Sequence, residues 1–72
     1  MKTKPNNTPP APKTYYVLEI DKQQFSTYAT SDQSAISNVA YQYATRKGED
    51  VRLVRWEIKS GELACKIVEP KQ

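Results

Sequence analysis

Histidine is absent from this sequence, so no Ser–His or Cys–His nucleophile pair can be assembled from it. The single cysteine, Cys65, cannot close an internal disulfide. With no second cysteine and no histidine it also lacks the partners for a zinc site. Alternation along its segment turns Cys65 inward beside Trp56, where a thiol serves as a small core side chain. The carboxylates are scattered. Glu49 and Asp50 are adjacent in a loop and supply too few ligands for a cation, and Glu19 and Glu57 fall on an exposed sheet face without a pocket for acid–base work. Neither GxGxxG nor GxxxxGK[ST] occurs, and the two glycines, Gly48 and Gly61, sit where turns are expected. The expectation is a protein that is not an enzyme and uses no cofactor or metal. What remains is binding chemistry, carried by Tyr15, Val17, Tyr28, Leu53 and Val68 together with Arg55 and Lys66.

A chain of 72 residues makes one small domain, which buries roughly 60% of its unfolded surface. At 38% apolar and 26% charged residues the composition is that of an ordinary globular protein. No apolar run approaches the roughly 18 residues of a membrane span, and the N-terminus lacks the apolar stretch of a signal peptide, so a cytoplasmic location is expected. The net charge of +3 lies in the termini. Residues 1–13 carry Lys2, Lys4 and Lys13 with no acid, whereas residues 14–69 carry seven bases against eight acids. A nearly neutral domain argues against duplex-DNA binding, which draws on a basic face of the domain itself.

Residues 1–13 hold four of the five prolines and form a disordered or extended tail, with a partner-binding arm as its functional alternative. The folded domain spans 14–69, and 70–72 is a stub. Residues 14–20 and 25–29 alternate as strands joined by a polar turn at 21–24, with Ile20 opposite Phe25, Leu18 opposite Thr27 and Tyr16 opposite Ala29. On the reverse face Val17 meets Tyr28. Residues 31–47 form a helix. Thr30–Gln33 offers a capping box with Ser31 as a competing N-cap, Gly48 supplies the stop, and Ala35, Ile36, Val39, Ala40, Tyr43 and Ala44 share one stripe. Residues 51–59 and 62–69 form a second hairpin about a Ser60-Gly61 turn, aligning Val54, Trp56 and Ile58 with Ile67, Cys65 and Leu63. That pairing sets Arg55 opposite Lys66 and Leu53 opposite Val68 on the outer face.

The fold class expected is therefore α+β. The elements run ββαββ in a four-stranded antiparallel sheet ordered 2-1-3-4, or with strand 2 beside strand 3, and one helix packs on one face. One sheet face is left for water or a partner, and it carries the seven binding residues named above. Aromatic residues and arginine are enriched at the centres of protein interfaces, so a protein partner is the favoured expectation. A self-complementary homodimer is one way to cover the face. In size and strand–helix order the chain resembles small phage or mobile-element inhibitors such as anti-CRISPR proteins, which implies inhibition of a host complex through protein contacts. The alternative expectation is a nucleic-acid binder that stacks bases on Tyr15 and Tyr28 and neutralises phosphates with Arg55, Lys66 and the N-terminal lysines.

Overall fold

Two consecutive left-handed residues, Asp21 (φ 52°) and Lys22 (φ 63°), turn the chain back on itself and set the register of the first hairpin. They join β1 (Thr14–Ile20) to β2 (Gln23–Ala29) in a two-residue turn whose backbone twist matches that of paired strands. The computed structural model describes residues 12–70. The chain continues through α1 (Asp32–Lys47), α2 (Val51–Ser60) and β3 (Cys65–Glu69). Three antiparallel strands lie in the order β2-β1-β3, giving a small α+β fold with two helices in place of four strands and one helix. The expected tail falls mostly on residues 1–11, which with 71–72 lie outside the described residues.

The first hairpin keeps its expected faces but shifts by two residues, with Leu18 opposite Phe25, Tyr16 opposite Thr27 and Ile20 opposite Gln23. Apolar alternation cannot separate these registers, because a slip of two leaves every side chain on the same face. The turn decides. Asp-Lys lacks the glycine usual in such turns, and the left-handed lysine costs on the order of 1 kcal/mol. β3 pairs directly with β1, with Leu18 opposite Ile67, Ile20 opposite Cys65 and a bulge between Val17 and Leu18.

α1 matches its signals. Ser31 is the N-cap, its hydroxyl accepting from the Ser34 N–H at 3.2 Å. At the other end Gly48 is left-handed, its N–H and that of Glu49 returning to the carbonyls of Thr45 and Ala44. Ala35, Val39, Ala40, Tyr43 and Ala44 are buried against Tyr16, Leu18, Ile20, Phe25 and Ala29. The Tyr16 phenol donates to the Asp32 carboxylate at 2.8 Å, tying β1 to the first turn of α1; that bond and burial push the phenol above its usual range.

The largest departure is over 51–60. A period of two places Val54, Trp56 and Ile58 on one face, whereas a helical period collects Val51, Val54 and Ile58. Caps at both ends favour the helix. Asp50 accepts from the Arg52 N–H at 2.9 Å and from the Arg52 guanidinium at 3.3 Å, and these two bonds, in that order, hold its carboxyl below the usual carboxylate range. The stabilisation from this pairing is therefore present at neutral pH and is lost only as acid brings Asp50 through its lowered value. Gly61, expected in a hairpin turn, is instead the left-handed C-cap at φ 90°. Val54 is fully buried in the core, while Trp56 is 55% exposed and so does not sit inward beside Cys65.

Two stability measurements check this account. Val54→Ala should cost on the order of 2 kcal/mol in urea unfolding, and Trp56→Ala within about 0.5 kcal/mol of zero; a hairpin over these residues would reverse that ranking. Lys22→Gly should raise stability by about 1 kcal/mol by relieving the left-handed side chain.

Candidate partner-binding surfaces

The residues expected on one open face divide between two surfaces. Tyr15, Val17, Tyr28 and Lys66 stay on the outer sheet face, because each alternates with a side chain turned toward the core, whereas Val68 is the extra residue of the bulge in β3, between Ile67 opposite Leu18 and Glu69 opposite Val17. Tyr15 and Tyr28 are cross-strand partners, 46% and 62% exposed, with ring centroids 5.2 Å apart and planes tilted by 57°. Such a tilted aromatic pair adds to hairpin stability and presents a rigid apolar prominence. Val17, two residues along the same strand from Tyr15, is half-buried, as is Val68 at the β3 bulge. Lys66 lies opposite Glu19 across the β1–β3 pairing, so the expected like-charge pair with Arg55 gives way to a pair of opposite sign. No helix covers this face among the described residues, since α1 buries the other one.

Leu53 and Arg55 belong to α2 and are not part of the sheet surface, and Leu53 does not lie opposite Val68. The helix sets Arg52, Arg55, Trp56 and Lys59 in one exposed stripe, because positions three, four and seven apart share a face. Arg52, Trp56 and Lys59 were not among the expected binding residues, although this spacing is visible in the sequence once the segment is helical. Arg52 is ion-paired to Asp50 at 3.3 Å. Arg55 reaches across to α1, donating from Nη2 to the Ser37 carbonyl at 3.2 Å. Between the helices lies a groove of about 410 Å³ lined by Gln33, Ile36, Ser37, Arg55, Ile58 and Lys59.

Charge is locally arranged though balanced in total. Lys2, Lys4 and Lys71 lie outside residues 12–70, leaving eight bases to match the eight acids there. Among the described residues no group of three or more His, Cys, Asp or Glu side chains could hold a metal ion, and no helix is long and apolar enough to cross a membrane. Cys65 is half-buried on the core side of β3 opposite Ile20, and burial pushes its thiol up.

No known protein family, curated protein or solved structure matches the chain.

The state of Cys65 can be read directly. At neutral pH its reaction with a disulfide reagent should be markedly slower in the folded chain than in urea, with a rate still climbing above the pH at which a free thiol levels off. Equal rates in the two states would contradict both the burial and the raised thiol.

Proposed function

We propose that this chain is a non-enzymatic binding protein that docks a protein partner on the uncovered face of its sheet. The observation that carries the reading is the Tyr15–Tyr28 pair, two exposed rings 5.2 Å apart at the end of a paired hairpin. Large, rigid aromatic side chains supply contact area at little cost in conformational entropy, and they are enriched among the residues that dominate binding energy. Val17 extends the apolar patch, and Lys66 opposite Glu19, with Glu69 opposite Val17, gives it a polar margin. That arrangement has the anatomy of an interface, an apolar centre with a charged rim.

A protein partner fits better than a nucleic acid. Single-strand binders combine stacking aromatics with a positively charged groove along the backbone, whereas Lys66 on this face lies opposite Glu19. The one base expected there besides Lys66, Arg55, is on α2. Inhibition of a host complex, the role implied by likeness to small phage inhibitors, now rests on chain size, because the element order is ββααβ.

The test is retention of a partner by the tagged full chain from lysate, with and without nuclease, followed by quantitative binding to whatever protein is identified. Tyr28→Ala and Tyr15→Ala should each weaken that binding at least about tenfold, more than 1.4 kcal/mol, with the circular dichroism spectrum unchanged. Retention lost on nuclease treatment would favour nucleic acid. Binding untouched by both substitutions would reject the sheet face as the site.

A further inference from the structure

The groove between α1 and α2 lies apart from the sheet face and has a composition of its own. Its floor is aliphatic: Ile36 from α1 and Ile58 from α2 are half-buried and packed against the core. Its charged lining is cationic only, Arg55 and Lys59, with Gln33 and Ser37 as the neutral polar groups. Arg55 and Lys59 are four residues apart on one helix, so two like charges face the same opening and repel in the absence of an anion. The Arg55 guanidinium is held in place by its bond to the Ser37 carbonyl, which engages one of five donors and leaves others to be directed at a ligand. Trp56 and Arg52 continue the exposed stripe beyond the groove.

We propose that this groove binds an acidic peptide segment of a protein partner, with an aliphatic side chain seated on Ile36 and Ile58 and flanking carboxylates on Arg55 and Lys59. Charge complementarity selects this occupant. The chain's own residues 1–13 carry Lys2, Lys4 and Lys13 and no acid, so like charge opposes their entry. Nucleic acid would supply the anion but would set its bases on isoleucine, for the groove has no aromatic lining. A peptide satisfies floor and rim together, in the manner of an amphipathic segment laid between helices. The inference is independent of the sheet-face reading and uses a different set of residues.

The test uses the full chain, immobilised and panned against a phage-displayed library of random peptides. Selected sequences are synthesised with a fluorescent label and titrated by polarisation. The expected winners carry Asp or Glu on both sides of Leu, Ile, Val or Met. Arg55→Glu with Lys59→Glu should weaken them at least tenfold, and raising salt should weaken them further. The neutral pair Arg55→Gln with Lys59→Gln should give a smaller loss in the same direction, so the effect can be read even if charge reversal unfolds α2. Tyr28→Ala should leave this binding unchanged. The proposal is overturned if no peptide is selected, if winners lack acids, or if both double variants bind as well as the parent. It is equally overturned if a thymidine oligonucleotide binds more tightly than any peptide and loses that binding in the same variants, or if the groove is occupied by a second copy of the chain in solution.

Discussion

The contact on which the fold depends is the seam between the alanine-rich stripe of α1 and the inner face of the β1–β2 hairpin. Ala35, Ala40 and Ala44 have side chains short enough to let the helix lie close to the strands, and Val39 and Tyr43 fill the space toward Leu18, Ile20 and Phe25. Phe25 and Tyr43 meet edge to face with centroids 6.0 Å apart, while Arg46 lies 4.7 Å over the Phe25 ring and donates to the Gln23 side chain. Gln42 donates to the Ser26 carbonyl at 2.9 Å and Asn38 to the Thr27 hydroxyl at 3.2 Å, so polar side chains of α1 also grip β2. A domain this small has few other ways to cover its apolar surface.

Given that seam, α2 has one place to go. Its Val54 completes the core while Val51 and Ile58 pack against the margin, and the rest of the helix faces outward. Two left-handed glycines bracket the helix, Gly48 ending α1 and Gly61 ending α2, and Asp50 restarts the backbone hydrogen bonding between them. The short helix is thus fixed by its ends and by one deeply buried valine rather than by a broad apolar face. This arrangement leaves Leu53 (49% exposed) and Trp56 uncovered, and it opens the groove beside Ile36.

The strand faces and α1 were legible in the sequence because their signals agree: alternation for β1 and β2, and cap, stripe and stop for α1. The stretch 51–59 was not, because Val54 and Ile58 belong to both a two-fold and a helical pattern. The choice then falls to Val51 against Trp56, and large aromatic residues are read as core. Asp50 and Gly61 could have settled it as a cap pair, but each is equally at home in a loop or hairpin turn. The error carried through to the surface. Tyr15, Val17 and Tyr28 kept their face because β1 and β2 form a hairpin with the expected alternation; Lys66 and Val68 are on a strand that begins at Cys65 and pairs with β1, with Val68 at its bulge, and Leu53 and Arg55 moved with the helix.

That displacement changes the electrostatics of the molecule more than its fold class. With Arg55 opposite Lys66, the sheet face would have been a cationic patch that calls for an anion. With Glu19 opposite Lys66 instead, the sheet face is compensated within itself and its chemistry is aromatic. On α2, Arg55 and Lys59 share a side and line the groove, while Arg52 is ion-paired to Asp50. A domain whose described charges cancel in total can therefore present two chemically distinct surfaces: one defined by apolar area, the other by two cations above an aliphatic floor. The two surfaces draw on different side chains, so a substitution on one can leave the other intact.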